Sequence, residues 1–149
     1  MIIVVFFLIK IYPMKTLLTF LFTTCLLFCF SQNTALEKEV HNVIKNYKVK
    51  LHNNPILLDE SLSNDSREHS KYMDSINDLV HAEFINSLGE IVQFTTNRDC
   101  TDKQLAEKIL KNFLNSPPHK EQIHTIHKRM GVGIVVNEKG YVWVTIRFF

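Results

Sequence analysis

Residues 116–133 carry the most informative local signals in the sequence. They begin with Ser-Pro-Pro-His at 116–119 and end with Met-Gly-Val-Gly at 130–133, where an apolar strand starts. Because the residue before a proline is disfavoured in the α region, Ser-Pro-Pro ends any helix that precedes it. Proline suits the first turn of the next helix, so we expect His119 near a helix N-terminus. There the helix dipole favours a neutral imidazole, which binds metal or accepts a proton; the alternative is a histidine without function.

The N-terminal part of the chain is far more apolar than the rest. Between residues 2 and 30 the only charged side chains are Lys10 and Lys15. A start at Met14 would give a lysine, an apolar run and a small residue, Ser31, in that order. This order is typical of a secretory signal peptide, and Met14 is therefore an alternative to Met1 as the true start.

Removal of residues 1–31 as a signal peptide would leave residues 32–149 as a single domain, secreted or periplasmic. If cleavage failed, residues 2–30 would be long enough to span a bilayer; after cleavage we expect no stable membrane span. Loss of Lys10 and Lys15 lowers the Lys and Arg total from 17 to 15, equal to the 15 Asp and Glu residues. Without a basic surplus, nucleic acid is not an expected partner.

Two helices are predicted in the first half of this domain. The first helix begins after a capping box that starts at Thr34. It ends at Asn-Asn-Pro, residues 53–55. The second is capped by Asp59 and ends at Asn77. His69 falls on its apolar stripe, where we favour a buried histidine with one hydrogen-bond partner over a metal ligand.

Two further helices are predicted before the final strands. The third runs from a capping box at Thr101 to Ser116. The fourth is short and carries His119 and His127. His124 and His127 are three residues apart on it, and we expect them to be a solvated surface pair rather than a metal site.

The C-terminus has the pattern of a β-hairpin. Residues 132–136 form an apolar strand, residues 137–140 a turn and residues 141–149 a return strand whose two faces are both substantially apolar. A sheet apolar on both faces is covered on both sides. Residues 95–99 are polar and are predicted to form a loop. With four helical segments, the pattern predicts an α+β fold, a three-layer α-β-α sandwich with a small, mainly antiparallel sheet between helices.

In chain order, these motifs resemble those of the CAP superfamily: the cysteine-rich secretory, antigen 5 and pathogenesis-related proteins. His81 matches the first site histidine of the family, and Gly89-Glu90 matches its Gly-Glu pair. Residues 116–119 resemble the bacterial Ser-Pro-Gly-His, whose histidine is the second site histidine. Gly-Val-Gly at 131–133 matches the strand that follows. The resemblance extends over residues 36–149 and is to the bacterial SCP-like branch.

Three positions depart from the family pattern. Ile91 replaces the usual asparagine after Gly-Glu, and Phe113 stands where tryptophan is common. Eukaryotic members have a second glutamate where this chain has Ser116. The acid and base groups of the eukaryotic site are therefore incomplete here.

The resemblance implies that His81, Glu90 and His119 converge in one binding cleft, with Ser116 at its margin. Two neutral imidazoles and a carboxylate suit Zn²⁺ and leave a fourth position for water. Glu90 would act either as a third ligand or as the hydrogen-bond partner of an imidazole. No separate general base is evident, and Ser116, the candidate catalytic residue, would itself need one.

Three functions remain open at the level of sequence. The favoured one is a non-enzymatic binding module that holds a small ligand, a lipid or a peptide in the cleft. The second is a metal-dependent hydrolase of peptide or cell-wall substrates. The third is a structural, partner-binding domain with a relic site.

Overall fold

The computed structural model describes residues 35–83, 87–96 and 100–149. The predicted signal peptide and the Thr34 cap lie outside the described residues. A helix, α1, covers residues 35–52. The elements that follow are β1 (Leu57–Leu58), α2 (Glu60–Ile76), β2 (Gly89–Thr96), α3 (Asp102–Asn115), α4 (Pro117–His124), β3 (Arg129–Val136) and β4 (Tyr141–Phe148).

The four strands form one mixed sheet in the order β1-β3-β4-β2. Only the short β1 is parallel to its neighbour, β3. The strand β4 lies between β3 and β2 and is antiparallel to both, so that Ile146 is opposite Val132 on one side and Ile91 on the other. The hairpin predicted from the sequence is therefore confirmed.

Helices cover the two faces of the sheet. On one face, aliphatic side chains of α1, α3 and α4 pack against alternate residues of the strands, among them Val144, Ile146 and Phe148. On the other face, Met73 of α2 packs with Val92 and Trp143. Helix α2 contacts β3 and β4 along its length. The predicted three-layer α-β-α sandwich is confirmed.

Two glycines of β3 allow α2 to lie directly on the backbone of that strand. A Cβ atom on Gly131 would overlap the backbone of Leu62, and a Cβ on Gly133 would overlap the backbone nitrogen of Arg67. Both obstacles are main-chain atoms of a helix, which cannot rotate away as a side chain can. Helix α2 therefore approaches β3 more closely than any residue type other than glycine would permit.

Side chains of α1 and α2 complete the open edge of β3 beyond β1. The N–H of Val132 donates to Ser63 Oγ at 3.2 Å, and the N–H of Ile134 donates to Glu37 Oε1 at 3.0 Å. The buried Glu37 carboxylate also accepts two bonds from Arg67, at 2.9 and 2.7 Å. Strand N–H groups that would otherwise be buried without partners are satisfied in this way.

The local signals in the sequence place most helix ends correctly. Asp59 caps α2 by accepting from the N–H of Leu62, and Thr101 forms a capping box with Gln104 at the start of α3. Asn77 ends α2 in the left-handed region, with φ of 51°. These three predictions are confirmed. Caps can be predicted from sequence because each depends on only a few neighbouring residues.

Some boundaries differ from the prediction. Strand β3 begins at Arg129, three residues before the predicted start at residue 132. Helix α4 ends at His124, so His127 is not on it. Strand β2 extends to Thr96, and Thr95 and Thr96 pair with Val142 and Tyr141 instead of forming a loop. The partners of β2 lie about fifty residues further along the chain, which a local pattern does not reveal. None of the described helices has the length and apolar character needed to cross a membrane.

We predict that Gly133→Ala lowers the free energy of unfolding by about 3 kcal/mol, because the new methyl group forces α2 away from β3. Urea denaturation followed by circular dichroism would measure the change. Gly89→Ala is the matched control: the nearest atoms to its Cβ belong to the end of the Gln122 side chain, which can move more easily than a helix backbone. Equal losses in the two variants would contradict the close packing of α2 on β3.

Candidate functional site

The buried carboxylate of Glu90 organises the candidate site. Glu90 lies on β2 directly opposite Arg147 on β4, on the sheet face covered by α2. Its Oε2 accepts from Arg147 Nε at 3.0 Å, and its Oε1 accepts from the N–H of Ala82 at 3.0 Å and from His81 Nδ1 at 3.1 Å. One carboxylate therefore joins two strands to the segment that follows α2.

The electrostatics of Glu90 favour its charged form. Burial would raise the pKa of this carboxyl group, but the hydrogen bonds from Ala82, Arg147 and His81 outweigh burial and lower the pKa. The side chain is only 2% exposed. Glu90 is therefore an anion whose two oxygens both have protein partners.

His81 reaches Glu90 because the chain turns back over the sheet at the end of α2. The left-handed Asn77 ends the helix, and His69 Nε2 on α2 donates to the carbonyl oxygen of Val80 at 2.9 Å. This confirms the prediction of a buried His69 with one hydrogen-bond partner. Because the Nδ1–H of His81 donates to a carboxylate, its Nε2 is the atom left to accept a proton or to bind a ligand. The side chain of His81 is 58% exposed, so a ligand can reach it.

His119 lies in the first turn of α4, after two prolines, as the sequence predicts. Its ring centroid is 6.4 Å from that of His81, at an interplanar angle of 60°. The ring of Phe113 packs edge-on against His119, with centroids 5.4 Å apart and an interplanar angle of 85°. Burial lowers the pKa of His119, and the proximity of His81 lowers it further, so His119 is neutral at neutral pH.

The geometry limits how a metal could bind here. Two imidazoles bound to one tetrahedral Zn²⁺ have ring centroids about 5 Å apart, so His81 and His119 would need to approach by about 1 Å. Within residues 35–83, 87–96 and 100–149, no group of three or more His, Cys, Asp or Glu side chains is placed to hold a metal ion. In this arrangement Glu90 orients His81. Both of its carboxylate oxygens accept hydrogen bonds from the protein and are not directed at a metal position.

Ser116 lies at the junction of α3 and α4, three residues before His119. Its backbone N–H donates to the carbonyl oxygen of Phe113 at 3.2 Å, and its own carbonyl accepts from Lys120. Its hydroxyl does not cap α4. Ser116 thus positions the start of α4, and the structure gives its hydroxyl no basic partner among the described residues.

Lys48 is a residue that the sequence reading missed. It is 2% exposed, and its Nζ donates to the carbonyl oxygens of Ile123 and Thr125 at 2.7 and 2.6 Å. Burial lowers the pKa of Lys48. A cation at the C-terminal end of a helix stabilises its unpaired carbonyls, so Lys48 fixes α4, which carries His119. A single lysine among the apolar positions of α1 was the only signal available.

The expectation for His124 and His127 is wrong. His127 is 5% exposed and stacks on Phe148, with ring centroids 4.8 Å apart. His124 lies against Tyr47, whose hydroxyl is 3.0 Å from His124 Nε2. The two side chains pack against different elements and do not form a solvated pair. The reason is that α4 ends at His124, which releases His127 from the helical spacing.

The structure is an α-β-α sandwich in which His81 contacts the buried Glu90 and lies near His119. The chain belongs to the cysteine-rich secretory protein family, CAP, whose profile matches residues 41–148. No curated relative matches the sequence significantly. The resemblance stated from the motifs is therefore confirmed at the level of the family.

Solved structures share the fold at low sequence identity. An outer surface protein from Borrelia burgdorferi has a TM-score of 0.61 at 16% identity, over 76% of this chain and 91% of that one. An extracellular protein with an SCP domain from Bacillus anthracis has a TM-score of 0.54 at 15% identity, over 77% of this chain and 41% of that one. A hookworm platelet inhibitor has a TM-score of 0.51 at 10% identity, over 77% of this chain and 69% of that one.

We predict that Glu90→Gln lowers the free energy of unfolding by about 3 kcal/mol, because it leaves the buried Arg147 cation without its anion. Thermal and urea denaturation would measure this loss. Glu68→Gln, which breaks the exposed Lys71–Glu68 pair, is the matched control and should change stability by less than about 0.5 kcal/mol. A similarly small effect of Glu90→Gln would show that the carboxylate does not organise the site.

Proposed function

We propose that this chain is an extracytoplasmic binding module whose ligand contacts His81 and His119. The observation that carries the proposal is the hydrogen bond from His81 Nδ1 to Glu90, which leaves Nε2 of an exposed ring for a ligand beside the neutral His119. A small molecule, a lipid or a peptide is the class of partner that we propose. No general base is needed for binding.

The alternative of a metal-dependent hydrolase has less support from the geometry. A hydrolase needs a base with an available lone pair near the reacting water. Both oxygens of Glu90 already accept from protein donors, and Arg147 lowers the basicity of the carboxylate. Ser116 has no described partner that could activate its hydroxyl. We therefore favour binding over catalysis for this cleft.

Two observations support a location outside the cytoplasm. The N-terminal pattern of a lysine, an apolar run and a small residue is that of a signal peptide. Two of the proteins that share the fold are described as an outer surface protein and an extracellular protein. We propose secretion or periplasmic release, with Met14 as the alternative start.

We further propose that Zn²⁺ is one ligand of the histidine pair, with Glu90 as the group that orients His81. A carboxylate that accepts from the second ring nitrogen commonly orients a metal-binding histidine. Two imidazoles supply only half of a tetrahedral shell, so water or an organic ligand would complete it. The third possibility, a relic site, predicts no response to zinc.

We predict that Zn²⁺ raises the melting temperature of the protein at about pH 7.5. A ligand at a hundredfold excess over its dissociation constant adds about 2.7 kcal/mol, which corresponds to roughly 3–6 °C for a domain of this size. The gain should shrink towards about pH 5.5, because protons then compete for imidazole nitrogens that are neutral at higher pH. Because burial lowers the pKa of His119, this ring loses zinc at a lower pH than an ordinary histidine would.

Matched variants identify the residues that respond. His81→Ala and His119→Gln should each remove most of the zinc effect, while His52→Ala, an exposed histidine on α1, should retain it. Differential scanning fluorimetry measures the unaltered protein, these three variants and the double variant under the same conditions. A zinc response in the His81→Ala/His119→Gln double variant equal to that of the unaltered protein would overturn the metal assignment. Zinc-dependent cleavage of a peptide or peptidoglycan library that a chelator abolishes would instead favour the hydrolase.

A further inference from the structure

A cavity of about 490 Å³ opens beside His81, between α2 and the segment that follows it. Among the described residues it is lined by His69, Tyr72, Val80, His81, Ala82 and Glu83. We call it the Tyr72 cavity. It shares His81 with the candidate site but is not lined by His119.

The two histidines of the Tyr72 cavity provide acceptors. His69 is buried, with an exposure of 8%, and its Nε2–H donates to the Val80 carbonyl, so Nδ1 carries a lone pair when the ring is neutral. No described residue donates to that Nδ1. When His81 is neutral, its Nε2 lone pair is likewise available, because its Nδ1–H donates to Glu90. His69 Nδ1 is not among the buried atoms of the described residues that lack a partner, and the side chain of His81 is 58% exposed, so water reaches both acceptors and a ligand with N–H groups would displace it.

The charge and the ring of the cavity favour a cation. Among the described lining residues, Glu83 is the only Asp, Glu, Lys or Arg, and its side chain is exposed. Tyr72 is 53% exposed and stacks on His69, with ring centroids 6.1 Å apart at 28°. An aromatic face beside a carboxylate attracts cationic groups, and guanidinium stacks on such a face especially well.

We propose that the Tyr72 cavity is a subsite for an N–H-bearing cation, the guanidinium of an arginine side chain in a peptide or protein ligand. The guanidinium stacks on Tyr72 and pairs with Glu83, while its N–H groups donate to His69 Nδ1 and His81 Nε2. A quaternary ammonium has no N–H donor, so it could contact the ring of Tyr72 but could not donate to His69 Nδ1 or His81 Nε2. The inference rests on the proposed function in taking His81 as part of a ligand-binding face, and it names the class of ligand.

The test is a titration with a blocked arginine, Nα-acetyl-arginine methylamide, followed by the backbone amide signals of Val80 and Ala82 in NMR spectra. The matched ligand is the citrulline analogue, which has nearly the same shape but no charge. We expect arginine to bind at least about fivefold more tightly than citrulline and than tetramethylammonium. Equal binding of citrulline or of tetramethylammonium, or no shift of these amides at millimolar arginine, would overturn the proposal. Butylammonium tests whether the cavity requires a guanidinium or binds any small amine. If butylammonium binds as tightly as the blocked arginine, the assignment to arginine is overturned.

Protein variants complete the test. Glu83→Gln and Tyr72→Leu should each weaken arginine binding by about fivefold, while Tyr72→Phe, which keeps the ring, should not. Glu60→Gln is the matched charge control, because Glu60 lies about 18 Å from Tyr72 along α2 at about 1.5 Å per residue. Unchanged binding in Glu83→Gln and Tyr72→Leu would overturn the subsite. The zinc response, measured on the same variants in separate samples without arginine because both ligands use His81 Nε2, distinguishes the two proposals: zinc binding without arginine binding contradicts the subsite alone, and the reverse contradicts the metal site alone.

Discussion

The direct contact of α2 with the backbone of β3 is the constraint on which the rest of the structure depends. Because Gly131 and Gly133 have no side chains, α2 lies flat along β3 and β4 instead of being held off by a layer of side chains. The polar groups of the two elements can then meet. Ser63 accepts from a strand N–H, and Ser70 donates to the carbonyl oxygen of Gly133 at 3.0 Å. Hydrogen bonds that reach across such a short separation add specificity to the close packing.

The position of α2 determines where the chain goes next, and therefore the site. When the helix ends at Asn77, the following segment leads to His81 and Ala82, which contact Glu90 on β2. A buried ion pair such as that of Glu90 with Arg147 is a weak source of stability by itself, because both charges lose water. Here the pair has a second role, since the remaining acceptor capacity of Glu90 fixes the N–H of Ala82 and the ring of His81. The stability of the fold and the orientation of His81 thus depend on one carboxylate.

The sequence predicts those features that depend on neighbouring residues. Asp59, Asn77 and Thr101 mark helix ends through caps whose partners are at most four residues away. The motif order likewise identifies the family. What the sequence does not predict depends on distant partners: the Glu90–Arg147 pair joins residues 57 apart, and Lys48 is buried only because the end of α4 supplies two carbonyl acceptors. The burial of His127 also follows from tertiary packing, against Phe148.

The central claim is that Glu90 holds His81 with Nδ1 protonated and Nε2 available to a ligand. Long-range ¹H–¹⁵N NMR of the neutral His81 ring reports which nitrogen carries the proton. We predict the Nδ1–H form for His81. A ring in the Nε2–H form, or one that exchanges evenly between the two forms, would contradict it, because Glu90 would then not determine which face of His81 a ligand meets.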